Sequence, residues 1–162
     1  MKLILIIVGV LAVALLSLYF LGRKTVNTQI DIAAPPEEIW AVLLDAKRYP
    51  EWNPILEPLS GTYKAGETIT YRMTIDGESS EVSSTVVGLV PNKELNQFGG
   101  VVGILTFDHH WVLEPIEGGT RVTQYENYRG IAVPFWNPAS VKDAYEEANR
   151  QLAELVMALR QN

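Results

Sequence analysis

The two histidines of the chain are neighbours, and they lie in a stretch whose alternation is typical of a strand. From Leu105 to Leu113 the odd-numbered residues are apolar apart from His109, which is therefore predicted to face inward. On the next predicted strand, Glu126 shares a face with Tyr128. A histidine and a carboxylate in an apolar cavity could act as a general base or orient a ligand carbonyl. Alternatively, His109 is a hydrogen-bonded wall residue and Glu126 a buried acid satisfied by its neighbours, because the alternation leaves the hairpin register open.

Metal, nucleotide and nucleophile chemistry find little support in the sequence. In a strand the adjacent residues His109 and His110 point to opposite faces, and Asp108 with His110 would supply only two metal ligands. The glycine-rich segment 98–103 matches no nucleotide-binding loop and precedes no helix, so we interpret it as a flexible apolar connection. No nucleophile motif is present. The sequence therefore predicts no metal site and no cofactor.

The elements that would position these residues begin with a strand and a helix near residue 30. Apolar or small residues alternate with polar ones from Val26 to Ile32, which predicts a half-buried strand. Pro36 suits the first position of a helix, and Glu37 and Glu38 complement the positive end of a helix dipole. A helix is therefore predicted from Pro36 until the break at 45–50.

The middle of the chain predicts an antiparallel meander, and its last part predicts one long helix. From Val141 onward, apolar residues recur at three- and four-residue steps almost to the C-terminus. A helix of that length could fill the concave side of a sheet. The predicted strands are 68–75, 81–90, 94–98, 105–113 and 120–128, with turns at Asp76-Gly77, Pro91-Asn92 and Glu117-Gly118-Gly119.

Two motifs in these elements are similar to those of a known group of proteins. The first is I-x-A-P-x-E-x-I-W-x-x-L-x-D from Ile32, followed by Y-P-E-W-N-P; the second is H-W-x-L-E-P-x-x-G-G-T-R-V-T from His110. They resemble the SRPBCC or START-like superfamily, in particular its polyketide cyclase/dehydrase and lipid-transport branch. The resemblance implies an α+β helix-grip fold, in which a curved antiparallel sheet surrounds a long C-terminal helix and leaves an apolar cavity. Many members bind hydrophobic ligands, and only some are enzymes.

Aromatic and apolar residues on the inward faces are the candidate cavity lining. For each aromatic residue alone, plain core packing is the alternative. Trp52 enters by resemblance, because the matching region helps to close the cavity in the family. The candidate ligand-binding residues are Trp52, Tyr71, Met73, Phe98, Leu105, Phe107, His109, Trp111, Glu126, Tyr128, Leu152 and Val156.

The N-terminal segment, residues 1–24, is predicted to be a membrane anchor ahead of one domain at residues 25–162. Leu3 to Leu21 carries no charge and would span about 28 Å as a helix. A cleavable signal peptide is the alternative, but no small residues mark a cleavage site before Leu21. This predicts a single-pass protein of the cell membrane. Lys2 on one side and Arg23 and Lys24 on the other balance each other, so the charges indicate no orientation.

Composition excludes other partners and leads to the predicted function. The formal net charge of −6 and the lack of a basic stripe argue against nucleic acid. The absence of cysteine removes disulfides and thiolate chemistry. We therefore predict a membrane-anchored binding protein or carrier for a hydrophobic small molecule or lipid, without chemistry. The alternatives are a polyketide cyclase or dehydratase-type enzyme using His109 with Glu126 or Tyr71, and a protein-interaction module with a vestigial cavity.

The resemblance also implies that the first strand pairs antiparallel with the last. The start of the first strand then shares one end of the sheet with the Asp76-Gly77 hairpin, segment 98–103 and the connection 131–136. Phe135 and Trp136 are therefore expected to contact the membrane, as interfacial aromatic residues do. We hypothesise that these loops form a portal between membrane and cavity. Alternatively, they pack on the long helix.

Overall fold

A curved seven-stranded antiparallel sheet covers one long helix in the computed structural model of the protein, which describes residues 1–161. The helices are α1 (Lys2–Leu21), α2 (Pro36–Leu44), α3 (Tyr49–Trp52) and α4 (Ala139–Arg160). The strands are β1 (Arg23–Ile32), β2 (Leu56–Ser60), β3 (Thr68–Ile75), β4 (Glu78–Val90), β5 (Glu94–Val101), β6 (Leu105–Ile116) and β7 (Gly119–Arg129). Their order in the sheet is β1-β7-β6-β5-β4-β3-β2. The predicted α+β helix-grip fold is confirmed, with an apolar helix ahead of it.

The first strand and helix form where the sequence predicts them. Val26 and Ile32 of β1 are buried, whereas the intervening Asn27 and Gln29 are exposed. Helix α2 begins at Pro36, with two acidic residues in its first turn, and buries Ile39 and Leu43. The half-buried strand and the proline-started helix are therefore confirmed.

Strand β5 is longer than predicted, because its glycines allow close packing. It continues through Gly99 and Gly100 to Val101, paired with β6 throughout. A Cβ on Gly99 would lie 2.4 Å from the Phe107 ring, and Gly100 has a φ of +93°. The flexible connection predicted at 98–103 was therefore wrong for most of that segment. Here the glycines mark close approach and backbone bending within a ladder, rather than a loop.

Helix α4 fills only part of the concave face of the sheet. Its C-terminal half packs Leu152 and Val156 into one buried cluster that also contains Trp52. Its N-terminal half places Val141 and Tyr145 in a second buried cluster, nearer the start of β1. The remaining concave space is the cavity described below.

Antiparallel pairing brings several connections to the end of the sheet where β1 begins, which we call the α1 end. Arg23 at the start of β1 lies opposite Arg129 at the end of β7. The β3–β4 hairpin, the β5–β6 turn and the connection between β7 and α4 therefore share this end. The opposite end carries the β4–β5 and β6–β7 turns. The predicted distribution of turns is confirmed.

The solid core and the cavity make different contributions to stability. Leu152 is fully buried, so Leu152→Ala should lower the free energy of unfolding by about 2–5 kcal/mol. Leu159→Ala is the matched control on the same helix, because Leu159 is 41% exposed and should change little. Denaturant unfolding of the detergent-purified protein measures both. Equal effects of the two substitutions would contradict this assignment of the core.

Candidate functional site

A cavity of about 720 Å³ lies between the concave face of the sheet and the N-terminal half of α4. Strands β3 to β7 supply most of its wall. The apolar lining includes Ile55, Leu56, Met73, Leu105, Phe107 and Val141, and the polar lining includes Tyr71, Ser84, Gln97, His109, Glu126 and Tyr145. The site is therefore a largely apolar chamber with a few polar groups set into its wall.

Eight of the candidate ligand-binding residues border this cavity, because strand alternation brings them to the concave face. On β6 every second residue from Leu105 to Trp111 lines it, including His109. The same alternation places Tyr71 and Met73 of β3, and Glu126 and Tyr128 of β7, on the concave face. The eight residues are Tyr71, Met73, Leu105, Phe107, His109, Trp111, Glu126 and Tyr128.

The other four candidates lie elsewhere. Trp52, Leu152 and Val156 belong to the solid core beyond the cavity, where the Trp52 ring packs edge-on at 5.9 Å from the Trp111 ring. Phe98 is 39% exposed and lies on the outer face, opposite Asp108 of β6. Alternation in the predicted strand 94–98 already places Phe98 on the face opposite Leu95 and Gln97, which is where the structure has it.

Gln97 and Tyr145 are among the polar residues of the cavity that were not predicted as site residues. Gln97 follows Leu95 at strand spacing within the predicted strand 94–98, so alternation with Leu95 places its side chain inward. Tyr145 belongs to the apolar stripe of α4, and no local pattern indicates that its hydroxyl bonds a carboxylate. Among the predicted membrane-contacting residues, Trp136 borders the cavity and Phe135 is exposed.

The match to a family model covers most of the chain. Residues 23–157 match the family described as polyketide cyclase / dehydrase and lipid transport. The chain belongs to this family. Helix α1 lies outside the match, and comparison with curated proteins finds no similar one.

Solved structures share the fold of this polyketide cyclase/dehydrase family member at low sequence identity. Protein CV1439 from Chromobacterium violaceum is 19% identical with a TM-score of 0.65, covering 82% of this chain and 96% of its own. Ms6760 from Mycobacterium smegmatis is 20% identical with a TM-score of 0.69, covering 83% and 92%. The Zhui aromatase/cyclase from Streptomyces sp. R1128 is 15% identical with a TM-score of 0.69, covering 83% and 94%. These similarities establish the fold alone.

The most unusual group in the cavity of this family member is a buried carboxyl. Oε2 of Glu126 accepts hydrogen bonds from the hydroxyls of Tyr128 and Tyr145. Burial raises the pKa of Glu126 to about 7, because the two tyrosine hydrogen bonds offset only part of the desolvation cost. Both the protonated and the ionised form are therefore present near neutral pH. Such a group can donate or accept a proton, or hydrogen-bond a polar atom of a ligand.

His109 and Glu126 lie directly opposite each other on β6 and β7, yet they do not bond. The side-chain amide of Gln124 lies within hydrogen-bond distance of Nε2 of His109, at 3.1 Å. Burial, together with the neighbouring His110, lowers the pKa of His109 to about 3. A neutral, hydrogen-bonded His109 corresponds to the wall-residue alternative, and the carboxylate pairs with tyrosines instead.

A second polar chain runs across the neighbouring strands β5, β4 and β3, and begins at Gln97, which pairs with His109. The amide N–H groups of Gln97 donate to the Tyr71 hydroxyl and to Ser84 Oγ, both at 2.9 Å. The Tyr71 hydroxyl donates to that of Tyr63 at 3.0 Å. Burial raises the pKa of Tyr71, so its hydroxyl stays protonated. This wall therefore contributes neutral polar groups only.

His110 lies on the outer face, away from the cavity. Its Nδ1 is 3.0 Å from Glu94 Oε1 and its Nε2 is 3.2 Å from Asp108 Oδ1, and its ring stacks on Tyr125. Within residues 1–161, no three His, Asp or Glu side chains are grouped as metal ligands. His110 is therefore held between two carboxylates and a tyrosine ring on the outer face of the sheet.

The raised pKa of Glu126 gives a specific dependence of stability on pH. The native state holds this proton up to about pH 7, whereas the unfolded chain releases it near its ordinary value of 4.5. The stability contribution is therefore present below pH 4.5 and is lost as the pH rises to 7. Glu126→Gln can still accept both tyrosine hydrogen bonds but does not ionise. Relative to the parent, it should gain up to about 3 kcal/mol between pH 4.5 and 8.

Urea unfolding at several pH values in detergent measures this difference in the free energy of unfolding. The lowered pKa of His109 makes stability rise with pH, but this contribution is the same in both proteins and cancels in the comparison. Glu78→Gln, at an exposed carboxyl, is the matched control and should run parallel to the parent. Parallel curves for Glu126→Gln would show that Glu126 titrates normally.

Proposed function

We propose that this protein is a membrane-tethered carrier that holds an apolar small molecule or lipid between the sheet and α4. The observation that carries this proposal is the cavity of about 720 Å³, which lies within the range of small-molecule sites and has mainly apolar walls. The polar groups of its wall are few and mostly bonded to one another. A ligand with a large apolar part and few polar atoms suits such a chamber.

Helix α1 supports the membrane part of the proposal. Its 20 residues are long and apolar enough to cross a bilayer, and none of them is buried against the rest of the protein. In water the whole apolar surface of this helix would be exposed, whereas a bilayer would remove it from water. A cleaved signal sequence is the other possibility, and the mass of the mature protein separates the two.

The interaction-module alternative would be favoured by a filled interior. The interior is open, and its lining side chains come from five neighbouring strands rather than from one surface patch. The binding proposal therefore accounts for more of the structure.

Native mass spectrometry of the detergent-purified full-length protein is the direct test. The carrier proposal expects a bound lipid or apolar metabolite at near one equivalent, on a chain that retains α1. An empty protein that also fails to bind apolar fluorescent probes would defeat the binding proposal, and a chain that lacks α1 would defeat the tether.

Filling the cavity should abolish binding without loss of stability. Met73 lines the cavity from β3 and is only half-buried, so Met73→Trp can project a larger ring into the open space. The neighbouring Arg72 points outward, which makes Arg72→Trp the matched control. We expect the affinity for 1-anilinonaphthalene-8-sulfonate to fall by at least about tenfold in Met73→Trp alone. Equal affinities in both variants would contradict the pocket assignment.

A second candidate function is acid–base chemistry of the cyclase or dehydratase type, which the Glu126 cluster favours. In a dehydration, the Glu126 carboxylate would remove a proton beside a carbonyl. The carboxyl group so formed would give that proton to the departing hydroxyl, which releases water and restores the carboxylate, while the Tyr128 and Tyr145 hydroxyls orient it. His109, neutral and bonded to Gln124, would only help to form the wall.

This candidate is testable with a medium-chain β-hydroxyacyl thioester as probe, following formation of the conjugated thioester. Glu126→Gln should lower the rate by at least about 100-fold, as expected for a lost general base, with binding preserved. His109→Gln should change the rate far less. Absence of turnover by the parent protein, or a larger loss in His109→Gln, would rule out this assignment.

A further inference from the structure

The mouth of the cavity lies at the α1 end of the sheet. Most of the exposed members of its lining lie in or beside three connections at that end. Asp76 and Glu78 belong to the β3–β4 hairpin, Val101 and Ile104 to the β5–β6 turn, and Asn137 to the segment before α4. The buried lining residues lie deeper between sheet and helix. A ligand therefore enters and leaves between these three connections.

Helix α1 ends directly beside this mouth. Gly22 is the only residue between α1 and β1, and its N–H donates to the carbonyl of Leu18 at 2.7 Å. The N–H of Gly130 donates to the carbonyl of Gly22 at 3.0 Å. A Cβ on Gly22 would lie 2.0 Å from the carbonyl oxygen of Gly130, so the close approach requires glycine. The end of α1 is thereby fixed against the connection that follows β7.

The same connection is bonded to the β5–β6 turn. The N–H of Ile131 donates to the Gly103 carbonyl at 3.1 Å, and that of Ala132 to the Ile104 carbonyl at 3.0 Å. The end of α1, the connection after β7 and the β5–β6 turn therefore form one hydrogen-bonded unit. A bilayer crossed by α1 would lie within a few residues of this unit.

Apolar side chains on this unit point into solvent. Val101, Val102, Ile104 and Phe135 are 59%, 80%, 52% and 79% exposed, and we call these four residues the apolar rim. Such a cluster is unfavourable in water and typical of an interaction surface.

The mouth carries basic side chains on the side beside α1 and acidic side chains on the far side, so only the side beside α1 is complementary to lipid phosphates. Arg23 and Arg129 are exposed and opposite each other on β1 and β7, close to the end of α1. The Lys24 ammonium group donates to the carbonyl of Trp136 nearby. Basic groups here would lie near lipid phosphates. The acidic residues Asp76 and Glu78 lie across the mouth, on the hairpin furthest from β1 in the sheet order.

We propose that the apolar rim inserts into the surface of the bilayer that α1 spans, and that the cavity mouth opens onto this bilayer. The ligand is then a membrane-resident amphiphile that passes between lipid and cavity without crossing bulk water. This inference rests on the proposed membrane-tethered carrier. It commits to lipid as the occupant of the rim, and pairing with a second copy of the chain is an outcome that the test can detect.

Single-cysteine labelling tests the contact, because the chain contains no cysteine. An environment-sensitive fluorophore is placed at Val102 or Phe135, or at the control positions Lys93 and Glu117 at the opposite end. The full-length protein is reconstituted in phosphatidylcholine–phosphatidylglycerol vesicles. Rim labels should be quenched by brominated lipid, and control labels by aqueous iodide. Equal iodide access at both ends overturns the proposal, as does rim protection that disappears on dilution of the protein in the bilayer.

The transfer of ligand provides a second readout. Val102→Asp with Phe135→Asp places charges on two exposed rim residues that do not line the cavity, and Val87→Asp is the control on β4. The probe is a pyrene-labelled fatty acid supplied in donor vesicles, detected by energy transfer from protein tryptophan. The rim variant should take it up about tenfold more slowly than the control, because charge opposes interfacial insertion. Its equilibrium affinity in detergent should equal that of the parent.

These readouts separate failure of the portal from failure of the carrier. Equal uptake rates with intact affinity overturn the portal and leave the carrier standing. Absence of probe binding in detergent by the parent and by both variants defeats the carrier, and the portal with it.

Discussion

The structure depends on a mismatch of volume between a seven-stranded curved sheet and the single helix that covers it. Helix α4 must hide the concave face, and its C-terminal half does so by close packing of Leu152 and Val156. The N-terminal half packs Val141 and Tyr145 into a second, smaller cluster and leaves open space beside it, which Tyr49 of α3 also borders. The space that remains open is bordered by the side chains that strand alternation directs toward the concave face. Cavity and core are thus two outcomes of the same packing problem.

Strand alternation made much of the site predictable from sequence. On β6 it assigned Leu105, Phe107, His109 and Trp111 to one face, and all four border the cavity. Alternation was not applied at Phe98, because the glycines that follow it resemble a loop although they belong to the ladder between β5 and β6. For α4 the limit is different. Helical periodicity showed that Leu152 and Val156 face the sheet, but it cannot show how far away the sheet is.

The polar chemistry of the cavity was predictable in residue type but not in pairing. The sequence brought His109 and Glu126 to neighbouring strands, and the structure places them directly opposite. Their hydrogen-bond partners depend on contacts that no local pattern reveals. Gln124 holds His109, and Tyr145 reaches Glu126 from a helix that begins ten residues after β7 ends. Burial disfavours the charged form of both groups. It therefore lowers the pKa of the His109 imidazole, which stays neutral, and raises the pKa of the Glu126 carboxyl, which favours its protonated form.

The position of α1 relative to the cavity follows from topology rather than from any individual contact. Because β1 pairs antiparallel with β7, whatever precedes β1 lies at the end where β7 finishes and the chain turns back toward α4. Antiparallel pairing across the sheet brings the β5–β6 turn and the β3–β4 hairpin to that same end. The filled core occupies the other end, where Arg160 of α4 bonds the carbonyl of Ala33 just beyond β1. The open half of the sheet is therefore the half beside α1. A helix that precedes β1 lies at the mouth of the cavity rather than at its closed end.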